Sequence, residues 1–171
     1  MAFYLDSAIA ALRRTPGALD ALLGPVSDSW AWHRRAPDQW SAAEVVGHFI
    51  HGERTDWIPR ARIILEHGAA RPFDPFDQDG SVAAADGRTA SELRDTFRSL
   101  RTANVETLLA WNIGETDLDR IGTHPALGPV TMRQLLATWV THDHVHLAQL
   151  TQALATAWAD DVGPWQAYLW E

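Results

Sequence analysis

Residues 138–150, TWVTHDHVHLAQL, restrict the fold of this 171-residue chain more than any other stretch. On an α-helix of 3.6 residues per turn, His142 and His146 stack on one face at i and i+4, while His144 swings to the far side. The same face continues through Leu135, Trp139, Gln149 and Ala153 in steps of three and four, the spacing of a seam turned toward other helices of a bundle. Two imidazoles therefore stand where apolar side chains belong. A buried polar group costs about 1–3 kcal/mol unless it finds a partner, and a divalent ion shared by both rings would satisfy them together. Such an ion wants three or more protein ligands, so another helix must bring a further His, Asp or Glu to the same place.

The helix predicted from residue 42 to about residue 66 supplies one. Ser41 and Glu44 form a capping box that marks its start, and Pro59 predicts a bend. With Val45, Phe49 and Gly52 as its inward stripe, His48 lies at the edge of that stripe and His51 well away from it, which makes His48 the candidate third ligand. Gly52 allows close approach of a neighbour, and Glu53 is placed to hold an imidazole in its metal-binding tautomer from behind.

Before this helix, residues 2–14 and 16–23 read as two segments kinked at Thr15-Pro16, with Thr15 as the cap of the second. SDSWAWHRRAPDQW then reads as a connection whose Trp30, Trp32 and Trp40 pack over the bundle end. After it, residues 67–88 are too rich in Pro, Gly and Asp for helix and form a long crossover loop, long enough to cover a site. A second capping box, Thr89 and Glu92, opens a helix to about residue 111 whose apolar side carries Leu93, Phe97, Leu100 and Leu108 but no histidine. IGTHPALGPV reads as a strand-like turn with His124 in a loop, Thr131 caps the long histidine helix, and the Trp-rich residues 158–171 fold back on the bundle. The expected architecture is all-α: a single domain, residues 1–171, forming an up-and-down four-helix bundle with one long crossover loop.

Composition removes several function classes. All 14 basic residues are Arg, against 22 acidic ones, for a net charge of -8, a poor match to a phosphate backbone. Nucleic acid is not an expected partner, and catalysis through a lysine Schiff base is impossible. With no cysteine, any metal must sit on nitrogen and oxygen. The N-terminal stretch lacks the basic start of a signal peptide and no uncharged run is long enough to span a bilayer, so the expected location is the cytoplasm, with no membrane partner.

WSAAEVVGHFIHGER, with Trp-Ser, an acidic residue, His and then Glu-Arg, and PALGPVTMRQLLATWVTHDHVHLAQL, with its HDxxHxxQ pattern, resemble the second and last helices of the DinB/YfiT superfamily. The resemblance covers nearly the whole chain. It implies a four-helix bundle holding one divalent metal, Zn or Ni, on His48, His142 and His146, with water completing the shell. Relatives include thiol-dependent transferases and proposed metal-dependent hydrolases, so it also implies a small-molecule substrate attacked by a low-molecular-weight thiol or by water, either deprotonated near neutral pH on the metal. A thiol would have to arrive as cosubstrate, because the chain has none. Glu53, Arg60 and Gln149 are the further candidates around the metal or substrate, with Arg60 and Arg62 suited to carboxylate recognition. The rival reading is a non-catalytic, metal-stabilised bundle whose Trp and Leu residues serve self-association, as a homodimer, or binding of a partner.

Overall fold

The structure, a computed structural model, describes residues 2–169, without the side chains of Gln78, Asp79 and Val82. Its first bundle arm is broken into α1 (Leu5–Leu12) and α2 (Thr15–Leu23). Thr15 is not the cap expected of it. It lies inside α2, and its hydroxyl donates to the Asp143 carboxylate at 2.6 Å, so a tertiary partner displaces the local capping role. The stretch expected as a plain connection holds a one-turn helix, α3 (Asp28–Ala31), capped by Ser27. As expected of ring systems closing a bundle end, the indole N–H groups of Trp30 and Trp32 reach across to the Leu154 and Arg88 carbonyls, at 2.9 and 3.0 Å.

The second arm is α4 (Ala42–Thr55) followed by α5 (Trp57–His67), and the Ser41–Glu44 capping box forms as its motif predicts. The bend falls at Asp56, ahead of Pro59, because a proline ring collides with the carbonyl four residues before it, here that of Thr55. The crossover is not the bare loop its composition suggests: it contains α6 (Gln78–Ala83), which lies along α4. Gly47 permits that contact, since a Cβ there would stand 2.7 Å from the Ala85 side chain and 2.8 Å from the Ser81 carbonyl. With its outer face covered in this way, α4 is buried at every position from Ala42 to Glu53. His51, expected well away from the inward stripe of its helix, is buried against the crossover, with the Phe76 ring edge-on at 5.1 Å.

The third arm, α7 (Ala90–Ala110), begins at the Thr89–Glu92 capping box. A short α8 (Glu115–Leu118) leads into a hairpin in which β1 (Ile121–His124) pairs antiparallel with β2 (Gly128–Thr131). The fourth arm, α9 (Met132–Thr156), is capped by Thr131, and α10 (Gln166–Leu169) ends the described chain. Trp158 returns edge-on against Trp30 at 5.5 Å, whereas Trp165 and Tyr168 are exposed. The last part of the expected tail, Trp170 and Glu171, lies outside the described residues. Among the described residues no helix is long and apolar enough to cross a membrane.

The crossover sets the direction of the third arm. Phe49 packs on Phe97 and Glu53 pairs with Arg101, so contacts between α4 and α7 advance in the same sense and the two helices run parallel. In contrast, α9 runs against α4: Trp139 meets Glu53 while His146 lies beside His48. The bundle therefore alternates direction at its first and last connections and breaks the alternation at the crossover.

Each arm contributes one buried polar residue at a common level: Thr15, Glu53, Arg101 and Asp143. Above and below this layer lie two apolar clusters, one around Leu12, Trp57, Leu108, Met132 and Trp139, the other around Leu19, Phe49, Leu93, Phe97 and Leu150. Arg101 is 1% exposed, and its five N–H groups are all used. They reach Glu53 Oε1 at 2.8 and 3.0 Å, both oxygens of Asp143, and the Leu12 carbonyl at 3.0 Å. Trp139 and Asn104 supply further donors to Glu53, at 3.1 and 2.9 Å. Burial pushes the Glu53 carboxyl above the usual carboxylate range against the pull of Arg101. Burial also works against the charge of Arg101, but Glu53 and Asp143 overcome it and raise the guanidinium.

Candidate metal centre

The antiparallel contact of α4 and α9 brings His48 against His142 and His146. The ring centroids of His146 lie 4.4 Å from those of His48 and 4.3 Å from those of His142, and one nitrogen from each of the three rings falls within 4.8 Å of the others. His48 Nε2 and His142 Nε2 face each other at 2.8 Å. Two such nitrogens can share one proton; with both lone pairs exposed they repel, and a cation between them removes the conflict.

The back of the cluster suits that role. Gln149 Oε1 is only an acceptor, so at 2.7 Å it takes the N–H of His146 Nδ1 and turns the Nε2 lone pair inward. Ser81, on the crossover, bonds His48 Nδ1 at 3.1 Å and orients that ring similarly. His142 Nδ1 is buried without a partner, leaving packing to hold this ring, with Trp57 edge-on at 5.0 Å and Phe49 at 5.9 Å. Burial, reinforced by His146 and His51, lowers His48 to about 4. Burial with His146, His48 and Arg101 lowers His142 to about 2. Both rings are neutral at pH 7 and offer lone pairs, so the residues fit a divalent ion.

These shifts have a consequence for the metal-free protein. The folded pKa values of His48 and His142 lie below the unfolded value of 6.5, so the unfolded chain takes up protons first as pH falls. Stability is complete above pH 6.5 and is lost on the way toward pH 4, at up to about 1.4 kcal/mol per pH unit for each histidine. Urea unfolding of chelator-treated protein at pH 7.5, 5.5 and 4.5 measures the slope. The slope is expected to flatten by about one proton in His142→Ala, and an unchanged slope would show that His142 is not held neutral.

The other candidates are placed differently. Glu53 is hydrogen-bonded to Arg101 and Asn104 of α7 and to Trp139 of α9, in the buried layer, and not to an imidazole. Arg60 is 8% exposed, pairs with Asp56 one turn back at 2.8 Å, and leaves Nε without a partner. Arg62 is solvent-facing, near Glu66 and over the Trp111 ring. His144 is exposed and bonds the Val140 carbonyl. The predicted inward seam of α9 holds for Leu135 and Trp139, which are buried, and then turns: Asp143, Leu150 and Leu154 are buried, whereas His142, His146 and Gln149 are half-buried at the flank. The histidines are thus directed at the gap between α4 and α9, not at the bundle axis.

Ser81 was not foreseeable from spacing, because it lies in a stretch without periodicity. Asp143 and Arg101 were: each continues an apolar seam, after Trp139 in α9 and after Phe97 in α7. Removing the Ser81 hydroxyl should free the His48 ring, and Ser81→Ala is expected to weaken metal affinity about tenfold, the low end of losses for groups behind a ligand. Competition titration against a chelating dye checks this; unchanged affinity would make the hydroxyl a passive neighbour.

An open groove of about 460 Å³ along α9 is lined by His142 and His146 themselves, and two further clefts flank the cluster. One, of about 320 Å³, is mainly apolar, walled by Trp57, Phe73, Phe76, Leu127 and Leu135, with His48 and His142 in its wall and Asp56, Arg60 and His124 also lining it. The other, also about 320 Å³, is polar and lined by Arg35, Gln39, Trp40, Gln149 and Gln152. Trp40 lies 5.2 Å from His48, and Gln149 is the residue that bonds His146, so this cleft adjoins the same rings from the opposite flank.

Comparison with known proteins places the chain. The model of the DinB superfamily matches residues 11–150. YfiT from Bacillus subtilis, described as a probable metal-dependent hydrolase with an unusual four-helix bundle topology, has a similar fold, with a TM-score of 0.76 at 19% identity over 91% of this chain and 90% of that one. A DinB-like protein from Bacillus cereus ATCC 10987 superposes with a TM-score of 0.59 at 20% identity over 90% of this chain and 92% of the other. No curated protein matches the sequence. A family match over most of the chain, and a bundle shared with these two structures, lead to one assignment: the chain belongs to the DinB superfamily.

Proposed function

We propose that this protein is a divalent-metal-dependent hydrolase of small, largely apolar substrates. The observation that carries this reading is the convergence of three imidazoles, two of which, His48 and His142, stand in the wall of an apolar cleft. A bound Zn or Ni ion would supply a Lewis acid with positions left open for water, since three histidines fill only part of its shell. Ser81 and Gln149 hold two of the rings in orientation, while Trp57 and Phe49 pack against the third, whose Nδ1 is buried. Phe73, Phe76 and Leu135 seat the body of the substrate. Among the described residues Asp56 is the one carboxyl in the lining; burial raises it against the pull of Arg60 and His51, which suits it to hold or pass a proton in the cleft. The likeness to YfiT supports hydrolysis within this reading.

A second reading replaces water by a thiol cosubstrate, and the polar cleft on the far flank favours it by offering room for a second, polar molecule beside the same rings. Protein purified without a His-tag is first analysed for metal. Loaded protein is then assayed with p-nitrophenyl esters and, separately, with glutathione and an aryl chloride. Chelator-sensitive ester cleavage is expected. Thiol conjugation without hydrolysis would favour the second reading, and activity toward both substrates that is indifferent to the chelator would overturn both.

A further inference from the structure

The apolar cleft has a second polar end that metal chemistry leaves unused. Roughly three helical turns beyond His48 along the same arm, Arg60 lines the cleft with its side chain nine-tenths buried. A guanidinium has five N–H donors. Among the described residues its one ion-pair partner is Asp56, which engages a single terminal nitrogen, and Nε has no hydrogen-bond partner. Its Cζ also lies over the Phe73 ring, 5.6 Å from the ring centre. A buried arginine on a cleft wall with donors to spare is an arrangement that a planar, two-oxygen acceptor completes.

The hairpin faces this end with a second donor. His124 Nδ1 accepts from the backbone N–H groups of Ala126 and Leu127 at 3.1 and 3.2 Å. Nδ1 therefore carries the lone pair and Nε2 carries the hydrogen. The ring sits edge-on to Phe73 at 6.3 Å, so Arg60 and His124 approach the same phenyl group from different elements, α5 and β1. Between this end and the histidines the walls are apolar: Trp57, Phe73, Phe76, Leu127, Val130 and Leu135.

We propose that this end of the cleft is a carboxylate subsite, and that the substrate is a small molecule with an apolar body whose carboxylate accepts from the Arg60 guanidinium and the His124 N–H. The inference rests on the cleft being the substrate site of the proposed hydrolase, and it names the substrate class: a carboxylic acid whose scissile group reaches the histidine end when its carboxylate is held at Arg60. Charge on Asp56 limits how many anionic groups this end accepts, which favours a single carboxylate over a phosphate.

Phenylacetate and phenylacetamide, matched in shape and differing in charge, are suitable probes. Their affinities are measured by ligand-observed NMR against metal-loaded and against chelator-treated protein, since a carboxylate can also bind a metal directly. The acid is expected to bind at least about tenfold more tightly than the amide in both samples, the worth of a charge-assisted hydrogen bond. That preference is expected to vanish in Arg60→Met and to be reduced in Arg60→Lys, which keeps the charge and loses the fork. Because Arg60→Met leaves Asp56 without its partner and could unfold, the Arg60 Nε–H resonance of the unmutated protein, assigned by its loss in Arg60→Lys, is followed as well. It should shift with the acid and stay in place with the amide. Equal affinity for the two probes, or an acid preference abolished by chelator and untouched in Arg60→Lys, would overturn the subsite. Failure of the hydrolase reading shows elsewhere, in metal content and ester cleavage, and leaves the chelator-treated binding data standing.

Discussion

Alanine in place of His48, His142 or His146 is expected to abolish stoichiometric metal binding, whereas His144→Ala binds as the unmodified protein does. Each of the three offers a ring nitrogen to one point, and two rings cannot replace the third. His144 is two residues from each of His142 and His146 in sequence, yet it faces solvent and bonds its own helix. The difference appears in melting curves as well as in elemental analysis. An ion that binds only the folded bundle adds RT ln(1 + [M]/Kd), about 2.7 kcal/mol at a hundredfold excess over Kd. For a chain of this length that corresponds to a shift of roughly 5–11 °C. Chelator should remove the shift from the unmodified protein and from His144→Ala, and the other three variants should show none. Metal loss in His144→Ala with retention in His142→Ala would refute the assignment of ligands to helix faces.

The largest effect on stability is expected away from the metal. Arg101→Met leaves Glu53 and Asp143 facing each other in a layer with no access to water, after removing five hydrogen bonds. Breaking a buried ion network by deleting one partner costs about 3–5 kcal/mol, against a total stability of about 5–15 kcal/mol. Urea unfolding should therefore show a midpoint shift large enough to leave part of the protein unfolded at 37 °C. The cost comes from stranded charge more than from lost attraction, so adding Glu53→Gln and Asp143→Asn to Arg101→Met should recover part of it. A loss below about 1 kcal/mol for the single variant would mean that water reaches the layer or that one carboxylate is already protonated.

Helix starts, the histidine pair and the bundle were legible because they depend on local rules. Ser41 with Glu44 and Thr89 with Glu92 fix two helix starts within four residues, and a spacing of four fixes which imidazoles share a face. What could not be read locally was decided by contact with distant segments. Thr15 caps nothing because Asp143 takes its hydroxyl, and His51 is buried because α6 folds over it. Glu53 has the sequence position of a group supporting a metal ligand, one turn past His48. Its direction is fixed by Arg101, 48 residues further on, which periodicity along a single helix does not reveal. The cleft has the same origin: it needs α5, the crossover and the hairpin together, and no one of them announces it.

The parallel course of α4 and α7 bears on the order in which the molecule acquires its parts. Antiparallel helical hairpins can close early from neighbouring residues, but here the central ion pair spans 48 residues and the histidine contact spans 94. A chain emerging from the ribosome presents His48 long before α9 exists, and at that stage it holds metal no better than an isolated imidazole. Ion capture must then follow the docking of the final arm instead of guiding it. The metal acts as a latch on a completed fold, and the supply of ion during synthesis should affect how long the protein survives more than whether it folds.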